Sequence, residues 1–206
     1  MNVASALHSR AATGGTDEWI TPPEVFNPLA DLYRFGVDLA ARSATMARVP
    51  EFVPPDSLQR SWAELRAPGP GWLNAPYSLA SLFLAKCHAE MERGFTTVNL
   101  VKLAPDTSAW DRYVLSDERV YVRFIPGRIW YIAGADVWKT TPDGELVLSL
   151  AAGERGPCPH ASAILVFPGS ADVPPPPGGH GRFGVYRVDH YRPARARRLE
   201  LEVQDA

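Results

Sequence analysis

The sequence predicts an α/β fold, with a mostly parallel sheet flanked by helices and a β-rich C-terminal extension. Two observations lead to this prediction. Between residues 20 and 116, short apolar or β-branched runs alternate with helical stretches, which is typical of a parallel sheet with helices on both faces. From about residue 120 onward, strand patterns follow one another, so we expect them to extend the sheet. A chain of 206 residues is long enough to bury a substantial core.

The elements of the first part are predicted in a simple order. Thr21 is expected to cap a helix whose first turn contains Pro22 and Pro23. An alternating strand at 35–40 follows, and Gly71–Leu73 predicts the end of a second strand. The remaining elements of this part are a helix, a β-branched strand and a second helix, at residues 79–93, 96–103 and 107–116.

The second part is predicted to consist of strands and turns. A hairpin is expected around the turn sequence Pro142-Asp143-Gly144. The segment 173–181 contains four consecutive prolines and three glycines, so we expect an exposed loop there. Further strands are predicted at residues 120–125, 128–132, 161–167 and 183–188.

The composition limits the class of protein. Its 46% hydrophobic and 21% charged residues are typical of a soluble globular chain. The net charge of −2 gives no overall basic field and counts mildly against a nucleic-acid partner, although a local cleft of Arg and Lys suffices to contact a few phosphates. The chain has two cysteines, no signal-peptide pattern and no apolar run of membrane-spanning length, so we expect a cytoplasmic protein without disulfides.

The domain organisation follows from changes in composition. Residues 1–16 are rich in small and polar residues, and we expect a flexible arm. Residues 17–190 are expected to form one domain. Residues 191–206 carry arginines followed by acidic residues, which predicts a charged, solvated tail.

The most informative motif is Asn74-Ala75-Pro76-Tyr77, directly after a predicted strand. The Asn74 side-chain oxygen and a neighbouring main-chain carbonyl can both accept from an amino group, while the ring of Tyr77 stacks on a planar base or amide. Open α/β sheets bind ligands at the carboxyl ends of their strands, which favours a functional site. The alternative is an ordinary surface turn, since Asn and Pro are turn residues.

A second candidate site combines the segment Trp19-Ile20-Thr21-Pro22-Pro23 with Asp38 and the small residues after it. A strand-end aspartate can accept from a ligand ammonium, and alanines let a ligand approach the backbone. The alternative is a helix cap and an unremarkable strand-end aspartate. Physical reasoning on these residues alone favours that alternative.

Several motifs in one order resemble the phage-type DNA N6-adenine methyltransferases. They are Asp-Glu-Trp-x-Thr-Pro, Phe-Gly-x-Asp-x-Ala-Ala, Asn-x-Pro-Tyr-Ser, an apolar strand ending in Pro, and Gly-Arg-Ile-aromatic. The similarity covers most of residues 17–132 and resumes at 162–167. It implies a Rossmann-like methyltransferase fold. It also implies that the protein acts in the cytoplasm of a bacterial or phage-infected host cell. It also implies S-adenosylmethionine as methyl donor and N6 of a flipped-out adenine in DNA as acceptor.

The resemblance also implies roles for individual residues. Arg128 is either a phosphate anchor or a structural ion-pair partner, and Lys102 is expected to face the cleft from the end of its strand. Methyl transfer requires no metal ion. The implied catalytic residues are Asn74, Ala75, Pro76 and Tyr77; the cofactor residues are Trp19, Thr21, Pro22, Asp38 and Ala40; the substrate residues are Ser78, Lys102 and Arg128.

Two departures from the family pattern keep alternatives open. Ala75 replaces the usual first proline, which preserves the main-chain carbonyl but removes rigidity. No Gly-x-Gly turn follows the first strand. The alternatives are an amino methyltransferase acting on cytosine N4, on adenine in RNA or on protein glutamine, and a non-catalytic nucleic-acid-binding relative.

Overall fold

The computed structural model of the protein describes residues 19–53 and 56–188. The predicted arm at 1–16 and the predicted tail at 191–206 lie outside these residues. The helices are α1 (Pro23–Tyr33), α2 (Ala80–Met91) and the single turn α3 (Ser108–Trp110), which continues as a π-helical turn at Asp111–Leu115. The strands are β1 (Trp19–Ile20), β2 (Val37–Asp38), β3 (Gly71–Leu73), β4 (Thr97–Lys102), β5 (Tyr121–Ile125), β6 (Trp130–Ala133), β7 (Val137–Thr140), β8 (Leu146–Leu150), β9 (Arg155–Pro157), β10 (Ser162–Phe167) and β11 (Phe183–Val185).

The main sheet has six strands in the order β11-β5-β10-β4-β3-β2. β2, β3 and β4 pair in parallel, as do β11 and β5. β10 runs antiparallel to both of its neighbours, β4 and β5, so the sheet is mixed. The predicted α/β class is confirmed, but one strand of the main sheet, β10, runs opposite to the other five.

One helix covers each face of this sheet. Successive strand side chains point to opposite faces, so Trp72 packs with α1 whereas Leu73 packs with α2. On the α1 face the core includes Leu29, and on the α2 face it includes Phe83. These two layers of buried apolar side chains supply the main driving force for folding.

Two smaller sheets stand apart from the main one. β6 pairs with β1 and with β9, both antiparallel, and β7 and β8 form the predicted hairpin. Of the C-terminal strands, only β5, β10 and β11 extend the main sheet. β1 and β6 are separated by more than 100 residues along the chain, and such long-range pairing leaves no local signal in the sequence.

Two local expectations were wrong. Thr21 does not cap α1, because Pro22 occupies the N-cap position and its carbonyl accepts from the amides of Val25 and Phe26. The strand predicted at 35–40 is confined to Val37–Asp38, because the Asp38 carboxylate accepts from the following amides and turns the chain away.

The proline-rich segment is anchored to the sheet rather than fully exposed. Arg123 on β5 is completely buried, and its guanidinium donates to the carbonyls of Val122, Pro176, Gly179 and Arg182. A buried guanidinium needs acceptors on each of its donors, and here main-chain carbonyls supply them.

The carboxyl ends of β2, β3 and β4 lie along one edge of the main sheet, because these strands are parallel. This edge brings together Asp38, the segment after Leu73, and Lys102. Among the described helices, none is both long and apolar enough to cross a membrane.

Candidate active site

The side chain of Asn74 has a defined orientation. Its Nδ2 donates to the main-chain carbonyl of Trp19 at 2.8 Å. Because a carbonyl oxygen can only accept, the atom facing it must be the amide nitrogen, which leaves Oδ1 as the outward acceptor. Oδ1 accepts no hydrogen bond from any residue that the structure describes. Asn74 therefore presents an available acceptor beside β1.

A second acceptor follows immediately. The carbonyl of Ala75 accepts no hydrogen bond within the described part of the chain, while the methyl group of Ala75 is buried in the core on the α2 face. Pro76 fixes the backbone at the start of the 3₁₀ turn Tyr77–Leu79, and its carbonyl accepts from the amide of Leu79 at 2.9 Å. The motif thus holds two acceptors next to each other without the usual first proline.

Tyr77 is held from two sides. Its hydroxyl lies 3.0 Å from the Cys158 sulfur, and its ring meets the His160 ring edge-on, with 5.7 Å between centroids. Burial is the main reason that the pKa of Tyr77 is raised above its ordinary value, so the hydroxyl stays neutral. A fixed, neutral ring at this place is suited to stacking against a planar group.

A cleft opens between β1, the loop after β2 and the loop after β3. It contains four of the five predicted cofactor residues together with two motif residues, and this set was assembled from three separate parts of the sequence. Its wall consists of Trp19, Ile20, Thr21, Asp38, Ala40, Ala41, Arg42, Met46, Arg48, Asn74 and Pro76.

Asp38 is 4% exposed and organises the loop that follows it. Its Oδ1 accepts from the amides of Ala40 and Ala41, both at 3.1 Å, and its Oδ2 accepts from the amide of Arg48 at 2.9 Å. Burial raises the pKa of Asp38 despite these hydrogen bonds and the nearby Arg48 charge. A cationic ligand in the cleft would offset this penalty.

Two polar atoms beside Asp38 have no partner. The Thr21 hydroxyl and Arg48 Nε are buried without a hydrogen bond to any described residue, and both residues line the cleft. Buried polar atoms are normally paired, so an unpaired hydroxyl and an unpaired N–H in one cleft indicate a polar ligand. With the Asp38 carboxylate, this donor and acceptor set fits the ammonium, carboxylate and hydroxyl groups of S-adenosylmethionine.

A second recess adjoins the cleft on the other side of Asn74. It is lined by Trp19, Asn74, Ala75, Pro76 and Tyr77. Three residues, Trp19, Asn74 and Pro76, belong to both walls. Two ligands in these neighbouring spaces would therefore meet at Asn74.

The other predicted residues lie around these spaces. Pro22 is buried at the start of α1 and does not line the cleft. Ser78 is exposed in the 3₁₀ turn, and Lys102 is half-buried at the end of β4. Arg128 is exposed, and its Nη1 donates to the Cys158 carbonyl at 3.4 Å. It forms no ion pair with a described carboxylate, so the structural ion-pair interpretation gains no support there.

Sequence reasoning missed several residues of the site. Arg48 follows Asp38 by ten positions and belongs to no motif, so only the fold brings it to the cleft. Cys158 and His160 lie in a predicted loop, and two potential ligands alone do not indicate a metal site. In the fold, however, both residues contact Tyr77. The remaining wall residues that carried no sequence signal are Ile20, Ala41, Arg42 and Met46.

Comparison with known proteins adds one finding. The sequence model of the family described as DNA N-6-adenine-methyltransferase (Dam) matches residues 8–149, which is more than half of the chain. The matched range includes the cleft, the recess and the motif at Asn74. No curated protein matches the chain significantly.

Proposed function

The chain belongs to the DNA N-6-adenine-methyltransferase family, and from this premise we propose that the recess at Asn74 holds the target adenine and the cleft at Asp38 holds the methyl donor. The enzyme transfers a methyl group to N6 of adenine in DNA and uses S-adenosylmethionine as methyl donor. The observation that carries the proposal is the shared wall. Because Trp19, Asn74 and Pro76 line both spaces, a donor in one and an acceptor in the other lie close enough for direct transfer.

We propose further that the main sheet is a Rossmann-like methyltransferase sheet. Support comes from the three parallel strands β2, β3 and β4: residues at the carboxyl end of β2 line the cleft, and residues after β3 line both the cleft and the recess. Ligands in open α/β sheets bind at this edge. The methyltransferase domain is assigned to residues 17–190.

The chemistry requires activation of a weakly nucleophilic amine. Asn74 Oδ1 and the Ala75 carbonyl each accept one hydrogen of the adenine amino group, which raises electron density on N6 and orients its lone pair. Both acceptors are already held in place, Asn74 by the Trp19 carbonyl and Ala75 by the buried methyl group, so little reorganisation accompanies the reaction. Bound S-adenosylmethionine would supply the methyl group from its sulfonium and leave as a neutral thioether, and N6 of the methylated adenine then gives up one proton to solvent.

The target base must leave the helix to reach these acceptors. N6 of adenine is paired in duplex DNA, so the proposal includes base flipping. Tyr77 stacks on the extruded ring, while its hydroxyl stays bound to Cys158. Ser78 and the cations Lys102 and Arg128 are assigned to the surrounding nucleic acid.

On the cofactor side, Asp38 is assigned to the ammonium group and Arg48 to the carboxylate. Thr21 supplies a hydroxyl that can hydrogen-bond the cofactor, and Trp19 forms an aromatic wall of the cleft. The small side chain of Ala40 lets the cofactor approach the backbone. Pro22 is assigned an indirect role, since it begins α1 immediately after Thr21. The unpaired Thr21 and Arg48 atoms support this assignment.

Identification of the product tests the proposal. Purified protein is incubated with methyl-labelled S-adenosylmethionine and, in parallel, unmethylated plasmid DNA, RNA and protein extract, and the products are digested to nucleosides or amino acids. We expect label in N6-methyladenine from DNA. Label in N4-methylcytosine, in RNA adenine or in methylglutamine would replace the proposed substrate with that one.

A further inference from the structure

His160 contacts Tyr77, which lines the recess, and lies just outside that lining, at a position that we call the rim. It belongs to none of the motifs that carry the family resemblance. Its ring packs edge-on against Tyr77, and its amide donates to the Cys158 sulfur at 3.4 Å. The contact with Tyr77 places the imidazole one side chain away from the proposed base position. Nothing in the methyl-transfer chemistry described above uses it.

Two further cations converge on the same rim from other elements. Arg128 donates to the Cys158 carbonyl, two residues before His160. Lys102 pairs in register with Ser162, two residues after His160. The charges of both act on the imidazole and, together with desolvation as the largest cause, lower the pKa of His160.

No described carboxylate forms an ion pair with any of these three side chains. Like charges held together repel one another, whereas some other surface cations of the protein are paired with carboxylates, such as Arg119 with Asp117, and others, such as Arg34, are paired with no described carboxylate. Three basic side chains that no described carboxylate neutralises, beside the recess proposed for the base, are suited to binding an anionic phosphate of a nucleic-acid backbone.

We propose that Lys102, Arg128 and His160 together bind a phosphate of the DNA strand next to the flipped adenine, with His160 as the positioning residue between that phosphate and Tyr77. This inference rests on the proposed function. The phosphate contact holds the strand while the Tyr77 ring holds the base, so the two constraints fix the amino group against Asn74. We name these three residues the rim triad.

The rim triad makes DNA binding depend on pH. In the free protein, desolvation and then repulsion from Lys102 and Arg128 lower the pKa of His160 and so disfavour its imidazolium form. A bound phosphate favours the imidazolium, so binding takes up a proton and tightens as the pH falls through the pKa of His160. The other groups that face the imidazole are the Tyr77 hydroxyl, which burial keeps neutral, and the Cys158 thiol.

The test uses the full chain and a duplex that contains its own target. The methylated adenine is first located by sequencing the product made from plasmid DNA. Binding of a fluorescent duplex with this site is then measured against salt concentration and between pH 5.5 and 8. The variants are H160Q, K102Q, R128Q and, as a control cation at the opposite edge of the sheet, R34Q.

We expect K102Q and R128Q to reduce the slope of log affinity against log salt by about 1 and R34Q to leave it unchanged. H160Q is expected to reduce the slope at pH 5.5 and to remove the pH dependence of binding. It should raise KM for DNA by a larger factor than it lowers the rate at saturating DNA. Melting temperatures close to that of the wild type show that the variants are folded.

A methylphosphonate linkage removes the negative charge of one backbone phosphate. Placed beside the target adenine, it tests whether the rim triad binds a phosphate of the DNA backbone or only free inorganic phosphate. We expect it to weaken binding to the wild type at pH 5.5 more than binding to H160Q, which keeps only the Lys102 and Arg128 contacts to that phosphate. Equal salt slopes for all four variants, or a pH dependence that persists in H160Q, would overturn the rim triad. Competition by millimolar inorganic phosphate without any methylphosphonate effect would overturn it too. Absence of methyl transfer by the wild type would instead contradict the proposed function.

Discussion

At the scale of single residues, the amide of Asn74 is oriented by a main-chain carbonyl 55 positions earlier in the chain. That contact joins β1, the first described strand, to the loop after β3. A side chain at position 19 can change without removing the carbonyl, whereas a change of Asn74 to alanine removes both the donor and the acceptor. In the proposed mechanism, the selectivity for an amino group therefore resides in one side-chain amide and the carbonyl after it.

Replacement of Ala75 by proline tests whether the carbonyl is the functional group at this position. The Ala75 N–H donates to no described residue, so A75P loses no hydrogen bond there. We expect methyl transfer within a few-fold of the wild type and a free energy of unfolding raised by about 0.4–1 kcal/mol, because proline restricts the unfolded chain. Steady-state kinetics measure the rate of methyl transfer, and urea denaturation measures the free energy of unfolding. A loss of activity beyond about tenfold would show that the alanine side chain itself is required.

Asp38 predicts a pH dependence of cofactor binding. Burial raises its pKa, so the carboxyl keeps its proton to higher pH than an exposed aspartate does. An ammonium group binds the carboxylate form. Affinity is therefore full above the raised pKa and falls as the pH drops through it, with proton release on binding in that window.

Calorimetric titration of S-adenosylmethionine from pH 7 downward measures this effect. We expect D38N to bind the cofactor more weakly and with little pH dependence over the same range. The single side-chain oxygen that D38N leaves can accept from only some of the three amides that bind Asp38, so a melting curve must accompany the titration. Wild-type affinity in a folded D38N protein would remove Asp38 from the cofactor site.

At the scale of elements, Arg123 ties the proline-rich segment to β5. Replacing it with methionine leaves several buried carbonyls without a donor, at about 1 kcal/mol each, so we expect R123M to lower the free energy of unfolding by about 3 kcal/mol or more. Y33F removes one hydrogen bond to the same segment, from the Tyr33 hydroxyl to the Pro174 carbonyl, and should cost about 1 kcal/mol. Urea denaturation measures both, and equal effects of the two variants would contradict this account.

Elements with local signals could be predicted from the sequence. The strand before Asn74 is predicted correctly because its apolar residues end at a turn motif, and α2 because its helix-forming run stops near Gly94. The small sheet β1-β6-β9 could not be predicted, since its strands are short and pair only through long-range contacts. Because this sheet was not predicted, the sequence also provided no reason to expect Trp19 beside Asn74.

At the scale of the whole molecule, the mixed sheet brings distant segments to one edge. The cleft and the recess draw on β1, on the loop after β2 and on the loop after β3. The motifs predict which residues belong to the site, but the distances between these residues depend on strand order, which no motif encodes. For the same reason Arg48 and His160 could be found only once the fold was known.

We propose that the cleft binds the methyl donor and the recess binds the target adenine, and one comparison tests this assignment most directly. The single-turnover rate of methyl transfer to DNA and the affinity for S-adenosylmethionine are measured for the wild type and for N74A, with A75P as the matched control in the same motif. We predict that N74A lowers the rate by about 10²–10³, the usual effect of losing one catalytic hydrogen-bond partner, while cofactor affinity changes little. A folded N74A protein that transfers methyl groups at the wild-type rate would contradict the account.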